Sequence, residues 1–369
     1  MTGGRHSAGE MRTDEPGGLH ELTGASANAG GLRGRVAVVG GGTSSEHDVS
    51  RDSARAVGEA LAEAGYAVVE MGIGRDGRWE HLGRTLGGDR ACSLHAALGV
   101  LRTVDAIFPA LHGPDGEDGT AAALAELAGI PCVGSPMAAG AIAMDKWVTK
   151  LVAREVGVEV AAGTLIGPGD PPPPWRGECV VKPVAAGSSH GVSLVEAEAD
   201  LPAAIAAARA EDSRVLVEER LRGREVDIAV LELPDGSLRT GPPLEIVTGD
   251  ALFTTEAKYA HPEFRVPAAL APQELAALQA AALATFRAIG CRGIARVDFF
   301  LVDGVPVLNE VNTMPGMTAL SQVPLMFAAE GLAYPELVAI MVEEARSRAG
   351  RGSGAARVAT GAEVGSLAP

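Results

Sequence analysis

Short, almost wholly apolar runs separate longer stretches of helical composition through most of this chain. The run RVAVVGG (Arg35–Gly41) carries no polar residue after its first position, which predicts a strand buried on both faces, as in a parallel sheet. A helix is expected over about residues 49–64 and a second strand over 66–71. AIFPALHG (residues 106–113) predicts a further strand ending in glycine, followed by a helix over about 119–128 and a short strand, PCVGS, at 131–135. Such alternation implies a parallel sheet with its functional loops at the carboxyl ends of the strands. Four prolines at residues 171–174 form a stiff surface loop. Beyond them, ECVVKPV (178–184), GVSLVE (191–196), RVLVEER (214–220) and VDIAVLEL (226–233) predict strands, with one helix over about 201–209 among them. A helix over about 272–289 leads into the segment richest in chemistry, and no internal repeat is visible.

That segment, CRGIARVDFFLVDGVPVLNEVNTMPGM (291–317), places two apolar runs around Asp303-Gly304, a turn dipeptide, and predicts a β-hairpin. Side chains alternate faces along a strand, so Arg296, Asp298, Glu310 and Asn312 share a face only if the connection holds an odd number of residues. A three-residue loop of Asp303, Gly304 and Val305 sets Asp298 opposite Glu310 and Arg296 opposite Asn312. Opposed side chains lie about 5 Å apart at Cβ, and facing like charges destabilise a sheet unless something positive sits between them. A hard divalent cation with oxygen ligands fits this demand, and Mg²⁺ on nucleotide phosphates uses only one or two carboxylates. A polar sheet edge open to water is the plainer alternative.

A chain of 369 residues exceeds one core, so two or three lobes are expected. Hydrophobic residues at 47% with 4% aromatics indicate a globular protein, and a formal charge of −16 argues against nucleic acid and anionic membranes as partners. It leaves ATP open, because phosphate sites are local. Cys92, Cys132, Cys179 and Cys291 are scattered without a CxxC pair and predict reduced packing residues of a cytoplasmic protein. No apolar run approaches a membrane span of about 18 residues. Residues 1–34 and about 350–369 have the composition of disordered extensions.

Several loops at strand ends carry candidate chemistry. GGGTSSEHDVS (40–50) sits between a strand and a helix; Glu46 and Asp48 there would repel phosphate and suit a cationic ammonium, unless they merely decorate the helix start. In HGPDGEDGT (112–120), a turn with Asp118 as helix cap explains much, while His112 at a strand's carboxyl end is a candidate substrate-side residue. VVKPVAAGSSHG (180–191) ends a strand in Lys182 and continues into a loop whose Gly187, Ser188 and Ser189 could close over phosphates. EERLRGRE (218–225) offers acids suited to an adenine amino group and ribose hydroxyls, though such a segment is more commonly a solvated charge run.

GGTSSEHDVS, HGPDGEDGT, GIPCVGS, MDK, VVKP with AGSSHG, EAKY (256–259), RVDFF and NEVNTMPGMT together resemble, in order, motifs of the D-alanine–D-alanine ligases of the ATP-grasp superfamily, over roughly residues 36–342. The resemblance implies an α/β fold in which an N-terminal parallel-sheet (pre-ATP-grasp) domain precedes a two-lobed ATP-grasp fold. Its divisions would be an extension at 1–34, the N-terminal domain at 35–145, a central lobe at 146–220, a C-terminal lobe at 221–347 and a tail at 348–369. In that family one D-alanine carboxylate attacks the ATP γ-phosphate, and the amine of a second D-alanine displaces phosphate from the acyl phosphate. Glu46 matches the receptor of the first ammonium, with Ser188 and Tyr259 as its hydrogen-bonded companions; His112 joins the substrate side. Arg296 and the Gly316 N–H match an oxyanion hole, and Ser321 the receptor of the second carboxylate. Asp298, Glu310 and Asn312 match ligands of two Mg²⁺ (or Mn²⁺), with K⁺ a candidate activator. Lys146, Lys182, Ser189, Glu218, Glu219, Leu221, Glu225, Lys258 and Asn312 match nucleotide contacts, and a homodimer is the expected assembly.

Some positions depart from the family pattern: His190 follows the two serines, Phe253-Thr254-Thr255 precedes EAKY, Asp48 stands where Glu is frequent, and Ser135-Pro136 replaces Ser-Gly. They bear on loop closure and on the second substrate, and remove no catalytic group. Two other functions stay open at this point: a related ligase joining D-alanine to another amino or hydroxy acid, and a non-catalytic ATP-binding module.

Overall fold

A computed structural model of the chain describes residues 32–247 and 263–359, with side chains described through Arg351. Lys258, Tyr259 and the Phe253-Thr254-Thr255 departure lie outside the described residues, as does nearly all of the extension expected over 1–34.

Three sheets follow one another along the chain, each with its own apolar cluster. In the first, β1 (Arg35–Gly41) lies between β2 (Ala67–Ile73) and β5 (Ala106–Pro109), parallel to both, and its six residues from Val36 to Gly41 are buried. Short β3 (Trp79–His81) and β4 (Arg84–Thr85) add on antiparallel beyond β2, so the sheet is parallel only over β2, β1 and β5. Helix α1 (His47–Glu63) buries Val57, Ala60 and Leu61, as its spacing of small and apolar residues predicts. The strand expected at 131–135 is reduced to a single parallel bridge between Ile107 and Cys132. Pro131 has no N–H to give a ladder, and Gly134, at φ 96°, turns the chain away.

Helices α2 (Arg90–Leu101) and α4 (Met137–Met144) were not predicted as elements; α3 (Thr120–Leu127) was, and α5 (Lys146–Glu155) begins at the MDK motif, which in the sequence reads as the start of a helix. The starts of α2 and α5 are marked by local chemistry, whereas α4 begins after Pro136 without a side-chain cap. Asp89 and Asp145 accept from the backbone N–H groups of Cys92 and Val148 at 2.8 and 2.9 Å, satisfying donors that the first turn leaves open. Asp118 likewise accepts from Thr120 N at 2.9 Å.

The segment β6 (Glu159–Val160) leaves α5 for the third sheet, after which β7 (Gly163–Ile166), β8 (Cys179–Pro183), β9 (Ser193–Val195) and β10 (Val215–Glu219) form the second, antiparallel sheet in the order β7-β10-β8-β9. Helix α6 (Leu201–Glu211) covers one face with Leu201, Ala204, Ile205 and Ala208. The third sheet comprises β11 (Arg224–Glu232), β12 (Leu238–Thr240), β13 (Leu244–Val247), β14 (Glu263–Arg265), β15 (Ile294–Val302) and β16 (Val305–Asn312), ordered β14-β13-β11-β15-β16-β6 with β12 on β11. The Pro272–Ile289 helix packs Leu278, Ala282 and Phe286 against Ile228, Val297 and Phe299. Fully burying a side chain of the size of Phe286 or Phe299 contributes about 1.5–3 kcal/mol, so this cluster anchors the hairpin firmly.

The β15–β16 connection corrects the expected loop. Val302 pairs with Val305, so only Asp303 and Gly304 form the turn, both with positive φ (49° and 81°), the backbone of a two-residue hairpin turn. An even turn would put Asp298 and Glu310 on opposite faces. A bulge corrects the parity: Phe299 pairs with Leu308 and Asp298 with Glu310, leaving Asn309 as the extra residue. Arg296 faces Asn312, as expected.

The tail departs from expectation as well. The last helix spans Tyr334–Ala359, past the boundary at residue 347, with Leu337, Val338, Met341, Val342 and Ala345 buried. Cys179 and Cys291 are buried; Cys92, against its expected packing role, is exposed on α2. Among the described residues no single helix is long and apolar enough to cross a membrane.

Candidate active site

One cleft of about 1090 Å³ gathers the ends of β8, β10, β15 and β16 with the first turns of α1 and α5. Its lining holds Glu46, His112, Lys146, Lys182, Ser188, Ser189, Glu218, Glu219, Leu221, Glu225, Arg296, Asp298, Glu310, Asn312, Gly316 and Ser321. The sequence candidates thus line it, except Asp48, which does not, and Lys258 and Tyr259, which lie outside the described residues.

At one end, Glu46 occupies the N-cap position of α1 but makes no side-chain cap. Its carboxylate turns into the cleft, where Ser188 Oγ donates to Glu46 Oε1 in a short hydrogen bond. Two glycines make room for it, since a Cβ at Gly113 or Gly187 would stand 2.7 or 2.8 Å from Glu46 Oε2. Ser188 and Ser189 hold left-handed backbone, φ 50° and 58°, unusual for residues with a Cβ and typical of functional loops. Asp48, by contrast, is exposed and pairs with Arg75 at 2.9 Å.

His112 is buried beneath this end. Its Nε2 lies 2.8 Å from Ser53 Oγ and its Nδ1 3.2 Å from Met314 O and 3.9 Å from Glu117 Oε1. Burial opposes its charging, but Glu117 and Glu46 outweigh burial and raise its pKa. Burial also pushes the Glu117 carboxyl up, against the pull of His112.

The β15–β16 face forms the floor. Arg296 donates from Nε and Nη2 to the two oxygens of Asp298, both at 2.7 Å, and from Nη1 to Gln322 Oε1 in a short hydrogen bond. The strand pairing of β11 with β15 sets Asp227 opposite Asp298, and Asp227 Oδ2 lies 3.6 Å from Arg296 Nε. Burial works against the guanidinium's charge, yet Asp298, Asp227 and Glu310 overcome it and raise its pKa. Asn312 Nδ2 donates to Asp298 Oδ2 at 2.9 Å. At the far side Ser321, N-cap of the Gln322–Ala329 helix, accepts from Thr318 N at 3.1 Å and bonds Thr318 Oγ1 at 2.8 Å.

A buried charge cluster backs the nucleotide-side candidates. Glu218 forms an ion pair with each of two lysines: Lys150 Nζ lies 2.7 Å from Oε1, which makes no hydrogen bond among the described residues, and Lys182 Nζ lies 2.6 Å from Oε2. Lys182 also donates to Asn309 Oδ1 at 3.1 Å, and Lys146 lies 3.2 Å from Glu310 Oε2. Glu218 is therefore the centre of an ion triad rather than a member of a solvated charge run. Neighbouring Glu219 is exposed and accepts from Ala162 N at 2.9 Å.

The donors facing each other on β15 and β16 are two carboxylates and one amide, all able to offer oxygen, which suits a hard divalent cation. Both carboxylates already contact a cation of the chain, and among the described residues no three His, Cys, Asp or Glu side chains converge as a metal cage. The set therefore fits a metal shared with phosphate oxygens, not one enclosed by protein. Lys150, Asp227, Asn309, Glu117 and Gln322 are among the lining residues for which the sequence offered no role. Lys150 follows Lys146 by four residues on one helix, a spacing that puts both on one face and could have flagged it.

Residues 35–135 match the family described as D-ala D-ala ligase N-terminus and residues 178–343 that described as D-ala D-ala ligase C-terminus. The D-alanine–D-alanine ligase of Mycobacterium bovis is 41% identical over 358 residues, covering 85% of this chain and 96% of that protein. That of Mycobacterium ulcerans is 41% identical over 367 residues, 86% and 97% of the two chains. Among solved structures, the Coxiella burnetii D-alanine–D-alanine ligase superposes with a TM-score of 0.74 at 28% identity, over 88% of this chain and 97% of that one. The VanG D-Ala:D-Ser ligase of Enterococcus faecalis gives 0.69 at 30%, over 84% and 99%.

Proposed function

The chain belongs to the D-alanine–D-alanine ligase family, and on that premise we propose how its own residues carry the family's reaction. Its fold is the family's N-terminal α/β domain followed by a two-lobed ATP-grasp fold. It is an ATP-dependent ligase that joins two D-alanines through a D-alanyl phosphate, releasing ADP and phosphate, for peptidoglycan precursor synthesis. The non-catalytic alternative falls with that membership.

One observation carries the residue assignment: a single cleft brings together an ammonium receptor, a locked guanidinium, an oxygen-ligand pair and a lysine cluster. Glu46, oriented by Ser188, receives the ammonium of the first D-alanine and points its carboxylate along the cleft. Lys146 and Lys182, with Ser189, hold the nucleotide phosphates, so that a substrate oxygen attacks the γ-phosphorus as the bond to ADP breaks. Arg296, fixed in plane by Asp298 and Gln322, and the Gly316 N–H meet the negative charge that develops on the acyl oxygen as the second amine attacks. Ser321 receives the second carboxylate. Asp298, Glu310 and Asn312 would hold divalent metal, which neutralises phosphate charge when bound. Leu221, Glu219 and Glu225 line the part of the cleft assigned to base and ribose, with His112 and its partners beneath the first amino-acid site. Lys258 and Tyr259 keep the roles the family resemblance assigns them. Mg²⁺ or Mn²⁺ as the metal, K⁺ as activator, a homodimer and a cytoplasmic location complete the proposal and rest on the resemblance alone.

Phosphate release from ATP, measured with D-alanine alone and then with D-alanine paired with D-serine or D-lactate, tests this reading. D-alanine alone is expected to support the fastest turnover. Faster turnover with a mixed pair would move the second-substrate assignment to the related ligases, of which the D-Ala:D-Ser enzyme is a structural neighbour.

A further inference from the structure

Glu218 is a buried carboxylate with a lysine on each oxygen, and only one of those lysines has been given a task. Lys182 stands at the end of β8, diagonal to Glu218 across the β8–β10 pair, and lines the cleft. Lys150 comes from α5 behind it, 2% exposed, and donates on its other side to Leu308 O at 3.3 Å. Removing one partner from a buried ion pair strands the other charge, which is the costly case. A Lys182 that were Glu218's sole counter-ion could not turn to a phosphate without that cost.

We propose that Lys150 is a positioning residue whose ion pair with Glu218 keeps that carboxylate compensated, so that Lys182 is released to the nucleotide phosphate. The inference rests on the phosphate role given to Lys182 above. Charge counting supports it: Lys146, Lys150 and Lys182 face Glu218 and Glu310, three cations against two carboxylates. Without Lys150 the set is neutral and has no positive excess to offer an incoming phosphate. Its placement supports it too. Lys150 and Lys182 reach consecutive residues of β16, Leu308 O and the bulged Asn309 Oδ1, so the bulge that sets the hairpin face also braces both lysines. Burial and Lys182 push the Lys150 pKa down, against the pull of Glu218 and Glu310, so its charge depends on the ion pair with Glu218.

A double-mutant cycle on the full-length enzyme tests it, with KM for ATP, KM for D-alanine and kcat read for wild type, Lys150→Met, Glu218→Gln and the double variant. Lys150→Met is expected to raise KM for ATP about tenfold or more, the scale of a lost charge-assisted contact, with KM for D-alanine within about twofold. Glu218→Gln removes the charge that would trap Lys182, so the double variant should bind ATP better than Lys150→Met alone. Additive losses, or equal rises in both KM values, would overturn the proposal and leave Lys150 a packing residue. If Lys150→Met does not fold, Lys150→Gln, neutral but still a donor, takes its place with the same expected split and rescue. A wild-type enzyme that released no phosphate with D-alanine would instead overturn the function assigned above, so the two failures are distinguishable.

Discussion

Two groups of buried charge in this molecule meet opposite fates. In the cleft, burial acts to raise the Glu218 pKa, but Lys182 and Lys150 outweigh it and hold the carboxylate low. Within the last helix, burial lifts Glu344 to about 7; Arg348, with smaller help from Arg351 and Arg292, only partly offsets this, and nearby Glu232 adds to it. Glu344 is fully buried, with Arg348 Nε 3.1 Å from its Oε1, yet neither of its oxygens makes a hydrogen bond among the described residues. Arg348 spends Nη2 on the carbonyls of Cys132 and Gly134, and Arg292 pairs with Glu232. Depth of burial is similar in the two places. What differs is close ion pairing: two lysines stand within 2.7 Å of Glu218, whereas Arg348 alone pairs with Glu344, and Arg351 and Arg292 act on it from farther away. The cleft keeps its charges ready for a charged ligand, while the junction between β11, β15 and the last helix tends to keep a proton.

The largest expected break of this contrast comes at the cleft's oxygen ligands. Glu310→Gln should lower metal-supported turnover by about 10³-fold, since metal-borne charge stabilisation is worth several kcal/mol, while thermal stability changes little. Activity close to wild type at limiting Mg²⁺ would refute the ligand assignment. Arg296→Ala comes next: kcat should fall about 10²-fold, as for removal of one preorganised donor, with a much smaller change in KM for ATP. A loss of ATP binding with kcat intact would make Arg296 a nucleotide residue. Smaller again is Glu46→Gln, expected to weaken D-alanine at its first site about tenfold to a hundredfold through loss of a charge-assisted contact. Initial-rate kinetics with D-alanine varied would check it, and a rise confined to KM for ATP would place the ammonium receptor elsewhere.

The smallest effect lies at the junction and sharpens the contrast by pH. The folded pKa of Glu344 is raised, so the unfolded chain loses that proton first as pH rises, and the folded state binds more protons over that range. Stability is therefore full below the ordinary carboxylate range and is lost progressively up to about pH 7. Glu344→Gln removes this loss: its Tm relative to wild type should increase by about 2 °C or more between pH 5 and pH 8. Melting curves that keep a constant separation across that range would show that Glu344 stays ionised.

Much of the cleft was legible in the chain because alternation, turn dipeptides and small-residue loops are local signals. Arg35–Gly41 as a strand, Pro272–Ile289 as a helix and the facing of Asp298 with Glu310 all follow from them. Helix α2 escaped because its Ala-rich run shows little periodicity, although Asp89 marks its start. The predicted strand at 131–135 failed because pattern alone does not weigh a missing proline N–H against a following glycine turn.

The hairpin divides the two kinds of information most clearly. By itself the sequence determined a turn at Asp303-Gly304, two strands and a polar face, since these depend on neighbours a few residues away. It could not place the bulge. A three-residue loop and a two-residue turn with one bulged residue have the same parity, and only the second matches the observed pairing of Val302 with Val305. The choice is expressed through Asn309, whose amide oxygen meets Lys182 from another sheet, 127 positions away in the chain. The same holds for Lys150 and Asp227, whose importance comes from charges that other elements, distant in the chain, fold against them. Face and turn are set by local backbone geometry, whereas compensation of buried charge is a long-range electrostatic condition that exists only once distant strands have met.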